Sequence, residues 1–357
     1  MVRIRTGWVV ALAALGLCAS ACKKNDDKGS GSGDTKTAEG KPAGGGTSAM
    51  GGASGGAAVA NDDLALLPVD SEVVFGINFG QLQQSGLWKE FVAPKLSSTD
   101  MAGIQKFKAI CGFDPMESLK GIAVGVKGWG GSEPTGVAVV HGFDKSKSMT
   151  CFDKDGVDEA QKDGSKVTID GDVVMVADKS GKPWGFTFVN DSTAIAVYGP
   201  DATTKDGIKK IAAGGGSLAK SQTVVDLYGK IKTADSVWFL VNGNAPFMSK
   251  MGSLGVKPKA VFGSVNVTDG LALDLHVRLS TPDEAGNLVS MIKGQAAQAK
   301  QFFDKFDASN DAADVLIGIA MSKEKLKTLA GMLGGMMGGM MGGGMGGGMG
   351  GPPGGGM

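Results

Sequence analysis

The stretch Asp70–Asn78 (DSEVVFGIN) has a near copy in Asp235–Asn242 (DSVWFLVN), about 165 residues later in the chain. After one gap, the two stretches match at Asp, Ser, Val, Phe and Asn, and Ile77 is matched by Val241. Both stretches are rich in β-branched and aromatic residues, which favour β-strands. The copy predicts an internal duplication in which each repeat opens with this strand.

Later strands recur in a similar order in both copies. Two of the candidate hairpins carry Asp170-Gly171 and Asp269-Gly270, pairs that are typical of type I′ turns. The candidate strands with alternating or β-branched patterns are 122–126, 136–141, 193–198, 260–264, 270–276 and 315–321. Hairpins dominate over parallel crossovers, so an antiparallel α+β fold is expected.

Helices are predicted between these strands. Residues 81–95 and about 282–306 are helix-like, and the second of these carries an apolar stripe formed by Ala285, Leu288, Ile292 and Phe302/Phe303. Each copy closes with a helix, started by Pro200 in the first and by Ser322 in the second. The expected body is therefore two tandem pseudo-repeats of antiparallel sheet with packed helices, at 62–216 and 217–334.

The N-terminus has the features of an export signal. Arg3 and Arg5 precede an apolar run of about ten residues, which is too short to span a bilayer, and Ala19-Ser20-Ala21-Cys22 follows. This arrangement resembles a bacterial lipoprotein signal peptide with its lipobox. The resemblance implies cleavage of residues 1–21 and lipidation of Cys22, and several acyl chains on one residue bind a bilayer durably.

The segment 22–61 then has the composition of a tether, since it is rich in Gly, Ser and Ala and has no apolar periodicity. In Gram-negative lipoproteins an Asp after the lipidated Cys favours the inner membrane, and this chain has Lys23 there. The resemblance therefore implies a lipid-anchored protein of the cell envelope, on the outer membrane of a Gram-negative bacterium, with the membrane as its first partner.

Three motifs of the body resemble exported bacterial lipoproteins of unknown function. They lie at 67–74 (LPVDSEVV), 81–88 (QLQQSGLW) and 111–115 (CGFDP). This resemblance brings no catalytic residues with it.

Charge and cysteine content narrow the function further. Lys+Arg and Asp+Glu are both 36, without a large basic cluster, which argues against a nucleic-acid partner. Cys18 leaves with the signal and Cys22 is the lipid site, so Cys111 and Cys151 remain in a compartment where disulfides persist. We expect these two to pair; two separate buried thiols are the alternative.

The sequence offers no visible catalytic, cofactor or metal site. Its only histidines, His141 and His276, lie in strand patterns, and His276 shares a predicted face with Asp274 and Arg278. That face is expected to be solvated, or else to contact a ligand. The acidic run 153–159 lacks the glycine that a calcium-binding EF-hand loop needs at its sixth position, so an acidic turn is expected.

The C-terminal segment is dominated by glycine and methionine, with 16 Gly and 8 Met in residues 331–357. Glycine opposes helix formation, so 335–357 is predicted to be a disordered tail. The alternatives are an apolar contact segment, a glycine-zipper helix in a membrane or oligomer, and a Cu(I) site of thioethers.

These observations favour a non-enzymatic structural or binding module. The alternative is a carrier of an apolar ligand or lipid in a cleft between the repeats. A deep pocket lined by Phe75, Trp238 and Phe239 would favour the carrier, whereas two filled cores would favour the module.

Overall fold

The computed structural model describes residues 60–96, 101–129, 133–153, 157–162, 164–246, 248 and 256–329. The signal peptide, Cys22 and the predicted tail at 335–357 lie outside these residues. The first described helix begins at Ala60, so it includes the last two residues of the segment predicted to be the tether.

Twelve strands form one antiparallel sheet. Its order is β11-β12-β10-β9-β8-β1-β2-β3-β7-β6-β5-β4. The strands are β1 (Val73–Ile77), β2 (Gly121–Lys127), β3 (Thr135–His141), β4 (Lys166–Asp170), β5 (Val173–Ala177), β6 (Pro183–Phe188), β7 (Thr193–Tyr198), β8 (Val237–Asn242), β9 (Ala260–Val267), β10 (Leu271–Arg278), β11 (Lys305–Asp311) and β12 (Asp314–Met321). The predicted α+β class is confirmed, although the fold is mostly sheet.

The two strands that the sequence identifies as copies lie next to each other at the middle of this sheet. β1 and β8 pair antiparallel, with Phe75 opposite Phe239, Val73 opposite Val241 and Ile77 opposite Val237. Strands β1–β7 therefore lie on one side of the junction and β8–β12 on the other. We refer to these as the first half and the second half of the sheet.

Helices cover both faces of the sheet. They are α1 (Ala60–Leu66), α2 (Phe79–Gln84), α3 (Ala93–Leu96), α4 (Met101–Cys111), α5 (Pro115–Ser118), α6 (Lys145–Cys151), α7 (Val157–Lys162), α8 (Lys205–Ala212), α9 (Gln222–Tyr228), α10 (Pro282–Ala299) and α11 (323–329). A π-helical turn spans Trp88–Val92, and short 3-10 helices span Pro200–Thr203, Leu218–Lys220 and Lys300–Phe302.

One face, here called face 1, carries the largest core. Val74, Val139, Leu240 and Phe262 point to this face from both halves and pack under α1, α8 and α9. Because this cluster is continuous across β1 and β8, the two halves share one core on face 1. This core does not divide into separate centres for 62–216 and 217–334.

The opposite face, face 2, is covered separately in each half. In the first half, α6 and the residues after it pack on strands β5–β7, with Phe152 against Phe186. In the second half, α10 packs its predicted stripe on β10–β12, with Ala285 and Val289 buried against Val315. These contacts confirm the predicted stripe for Ala285, Leu288 and Ile292. Phe302 and Phe303, which were also predicted to belong to it, lie beyond the end of α10 at Ala299.

Three local predictions differ from the structure. The helix predicted to run to Phe306 ends at Ala299, and Phe306 lies in β11. The helix predicted over 81–95 is interrupted after α2, where Ser85 Oγ accepts a hydrogen bond from the Trp88 N–H at 3.1 Å. Gly171 has the positive φ (67°) of the predicted turn, whereas Gly270 is not among the glycines with positive φ.

Candidate functional site

The predicted cysteine pair lies at disulfide-bonding distance in the first half. The Cα atoms of Cys111 and Cys151 are 4.8 Å apart, at a sequence separation of 40. Cys111 is the last residue of α4 and Cys151 the last residue of α6. The pair therefore joins two helix ends over face 2 of the sheet.

An apolar cavity of about 70 Å³ lies beneath this pair. Its floor is formed by strands β3, β6 and β7, and its roof by α4, α6 and the residues that follow them. Ser148 is the one polar residue among the described residues of the lining. The eleven lining residues are Phe107, Phe113, Val140, Phe143, Ser148, Cys151, Phe152, Phe186, Phe188, Ala194 and Ala196.

Aromatic contacts support the cavity wall. The rings of Phe107 and Phe113 meet edge to face, with centroids 5.1 Å apart, and Phe113 contacts Phe143 at 6.2 Å. Edge-to-face packing at these distances is favourable beyond simple burial. The roof is therefore an ordered aromatic layer.

The pocket that the sequence suggested between the repeats is not formed by the named residues. Trp238 is buried on face 1, where its ring meets Tyr228 edge to face at 5.2 Å. Phe75 and Phe239 oppose each other on face 2. Alternation along β8 sends Trp238 and Phe239 to opposite sides of the sheet, so the three rings cannot line one cleft.

His141 belongs to a buried polar chain on face 1. Its Nε2 lies 2.7 Å from Asp63 Oδ1, and its Nδ1 lies 3.3 Å from Thr193 Oγ1. Acid, imidazole and hydroxyl are the components of a nucleophilic site. However, the Thr193 hydroxyl is buried, and the apolar cavity lies on the other face. The arrangement ties α1 to the ends of β3 and β7.

The Asp63 carboxylate also affects the nearby Tyr228. Burial, and secondarily the charge of Asp63, raise the pKa of Tyr228 well above its usual range. Tyr228 is the last residue of α9, the helix that precedes β8. The Asp63 site therefore lies close to the junction between the two halves.

The prediction that His276 lies on a solvated face is wrong. Its side chain is 11% exposed, its ring stacks on Phe262 with centroids 4.8 Å apart, and its Nε2 lies 3.2 Å from Asp274. Asp274 also binds Lys232 at 2.5 Å. The alternation was read correctly and His276 is enclosed, whereas Asp274 and Arg278 on the same face remain 28% and 32% exposed.

Arg278 belongs to a second charge cluster, in which the Asp314 carboxylate is buried. It binds Asp314 on β12 through two nitrogens, and Lys230 Nζ lies 2.7 Å from Asp314 Oδ2. The Asp314 side chain is 3% exposed. Burial alone would raise the pKa of Asp314, but the hydrogen bonds from Arg278 and Lys230 outweigh it and lower the pKa.

Sequence reasoning missed both buried carboxylates. Asp63 falls at the beginning of the predicted body at 62–216 and Asp314 directly before the predicted strand 315–321, positions where acidic residues are ordinarily exposed. The sequence did contain a signal for Asp314. The strands β10 and β12 were both predicted, and pairing them places Arg278 at the end of β10 opposite Asp314. No comparable sequence signal links Asp63 to His141.

In the described part of the chain, no group of three or more His, Cys, Asp or Glu side chains could hold a metal ion. The acidic run at 153–159 is described only in part, since 154–156 lie outside the described residues. None of the described helices has both the length and the apolar character needed to cross a membrane.

Comparisons of this chain with protein-family models, with curated proteins and with solved structures found no match.

Proposed function

We propose that the chain is a lipid-anchored protein of the cell envelope whose body acts as a non-enzymatic structural or binding module. The observation that carries this proposal is Ala19-Ser20-Ala21-Cys22, directly after a short apolar run and a basic start. Lipidation of Cys22 would anchor the body to a bilayer.

The engagement of both histidines supports the non-enzymatic part of the proposal. His141 is held between Asp63 and Thr193, and His276 stacks on Phe262. Each imidazole thus contributes to packing between sheet and helices. A general base needs instead to reach the proton of a bound substrate.

Membrane fractionation after Cys22→Ser tests the anchor. We expect the variant to leave the membrane fraction after a salt wash, because acylation requires that thiol. Cys18→Ser is the matched control, since it changes a cysteine of the predicted signal and should leave the protein on the membrane. Retention of the Cys22→Ser protein on washed membranes would overturn the proposal.

The proposed location has its own test. Lys23→Asp places an acidic residue directly after the lipidated cysteine, and we expect this change to move the protein from the outer to the inner membrane on a density gradient. Lys24→Asp is the control one residue further on. If wild type already bands with the inner membrane, the outer-membrane assignment fails while the anchor stands.

We also propose that the body arose by internal duplication. The strand order β1-β2-β3-β7-β6 in the first half is matched by β8-β9-β10-β12-β11 in the second. Hydrogen bonds across the junction are reciprocal, since Asn78 N–H donates to Ser236 O at 2.9 Å and Asn242 N–H donates to Glu72 O at 2.8 Å. The β4–β5 hairpin would be an addition to the first copy.

Helix placement gives the duplication a second support and a test. A helix precedes the first strand of each half on face 1, and a helix follows the third strand of each half on face 2. An experimental structure should superpose the two five-strand units after a rotation near 180° about the Phe75–Phe239 pair. Units that fail to superpose in that order would overturn the duplication.

The second candidate function is a carrier of an apolar ligand. The observation that favours it is the phenylalanine-lined cavity of the first half. This cavity lies within one half, so the carrier proposal moves from the cleft between the repeats to the space beneath Cys111 and Cys151.

A further inference from the structure

We propose that the cavity beneath Cys111 and Cys151 binds the end of a lipid alkyl chain. This inference deepens the carrier candidate by naming its site and ligand class. It does not depend on the lipid anchor at Cys22, because the lining residues and their contacts are all in the body.

The lining chemistry selects an apolar ligand. Six phenylalanines, a valine and two alanines surround the space, together with Ser148 and the Cys151 disulfide sulfur. Among the described residues of the chain, no lysine, arginine, aspartate or glutamate lines it. A polar head group placed there would lose its hydrogen bonds to water without replacement, whereas a hydrocarbon would not.

The size selects a narrow ligand. An apolar cavity of about 150 Å³ is known to accept benzene, and a single water needs about 10–15 Å³. At about 70 Å³, this cavity is larger than one water and about half the size of the benzene site. The methyl end of a linear chain fits such a space, while an aromatic ring is too large.

The walls are fixed before a ligand arrives. The Cys111–Cys151 pair connects the ends of α4 and α6, so it holds two parts of the roof together. The floor belongs to hydrogen-bonded strands at the centre of the first half. A preformed apolar site loses little conformational entropy when it binds its ligand.

Isothermal titration calorimetry with a series of 1-alkanols tests the proposal on the full chain carrying Cys22→Ser, which lacks the acyl site. Burial of one more methylene should tighten binding about fourfold. We expect this gain at each step until the cavity is full, and then a plateau, with benzene binding much more weakly than the best alkanol. Affinity that rises without a plateau, or benzene binding of equal strength, would overturn the proposal.

A filling variant locates the ligand. Ser148 lines the cavity, whereas Ser146 on the same helix is exposed. Ser148→Leu should therefore reduce the affinity for the best alkanol at least tenfold, and Ser146→Leu should leave it unchanged. Equal binding by both variants would overturn the assignment, and unaltered circular dichroism is required of each. If Ser148→Leu does not fold, Ala196→Leu fills the same space from the floor.

The lipidated protein separates two sources of the chain. If its alkanol affinity falls below that of the Cys22→Ser protein, the anchor's own acyl chain competes for the cavity. Equal alkanol affinities of the two proteins exclude the anchor's own acyl chain and leave a free lipid as the source of the chain. Both results keep the cavity as the site, and neither bears on whether Cys22 anchors the protein, which fractionation decides.

Discussion

The two halves of the sheet close face 2 in different ways. In the second half, one 18-residue helix, α10, lays a continuous apolar stripe on the strands. In the first half, short helices joined at Cys111 and Cys151 cover a larger set of aromatic side chains and leave a cavity. A long helix fills the space beneath it regularly, whereas linked short helices need large rings to bridge the gaps between them.

The halves also differ in how they pair the polar side chain that ends their third strand on face 1. His141 ends β3 and receives its carboxylate from α1, while Arg278 ends β10 and receives its carboxylate from the neighbouring strand β12. In the first half, the strand partner of His141 is Thr193. The same sheet position thus accepts different polar side chains as long as each of them has a polar partner within bonding distance.

At the junction of the two halves, a glycine on one side faces a tryptophan on the other. Gly76 on β1 lies opposite Trp238 on β8, and a Cβ added at Gly76 would lie 2.2 Å from the indole ring. The glycine therefore makes room for the tryptophan. The first half supplies the space and the second half supplies the ring that fills it.

The largest effect is expected from removing that ring. Trp238→Ala should lower the free energy of unfolding by about 3–5 kcal/mol, because a large buried side chain leaves a cavity shared by both halves. Guanidinium denaturation measures the change. Phe91→Ala is the control, since Phe91 is 37% exposed and its loss should cost less than about 1 kcal/mol. A small effect of Trp238→Ala would show that the halves do not depend on this contact.

Loss of the cysteine pair should destabilise the first half next. Replacing both Cys111 and Cys151 by Ser should cost about 2–4 kcal/mol, because the bond closes a loop of 40 residues in the unfolded chain. Reductant should destabilise the wild type by a similar amount and leave the double variant unchanged. Two labelled thiols in denatured, unreduced protein would contradict the pairing.

The corresponding test in the second half is Arg278→Met. It should cost about 2–3 kcal/mol at pH 7, because the buried Asp314 carboxylate then keeps only Lys230. Lys305→Met is the control, because its partner Asp307 lies with it on an exposed edge and the pair contributes less than about 1 kcal/mol.

The pH dependence of this cluster follows from the lowered pKa of Asp314. In wild type, the folded state holds the carboxylate charged, so the stabilisation is present above its ordinary value of 3.8 and is lost as the pH falls through the lower folded pKa. In Arg278→Met the folded carboxyl takes up a proton at higher pH. The difference between the two proteins should therefore shrink on acidification; a difference independent of pH between 7 and 3 would argue against the charge cluster.

The sequence could predict the elements that carry strong local patterns. The bounds 193–198 of β7 match the prediction, and the β9–β10 hairpin lies where the alternation placed it. β11 was missed because its residues Lys305–Asp311 are mostly polar at a sheet edge, and because the helix was predicted to continue to Phe306. Edge strands need only one paired side, so their composition says little about them.

Long-range properties were beyond local patterns. The similarity of β1 and β8 was recognised in sequence, but their pairing into a single sheet depends on contacts between residues about 165 positions apart. The enclosure of His276 and the cavity depend on which helices cover each face. Neither is encoded in a strand's own alternation, which distinguishes two faces without saying what covers them.

The smallest effect is expected from deleting 331–357. All twelve strands and α11 precede this segment, and its 16 glycines have no side chains to bury, so the melting temperature should change by no more than about 2 °C. Deletion from residue 323 is the matched comparison and should lower it further, because Lys323 and Lys327 of α11 both bind Glu90. A large fall after the shorter deletion would mean that methionines of the tail pack on the body. An unchanged melt with loss of Cu(I) binding or of oligomers would instead assign the tail one of those functions, with the sheet unaffected.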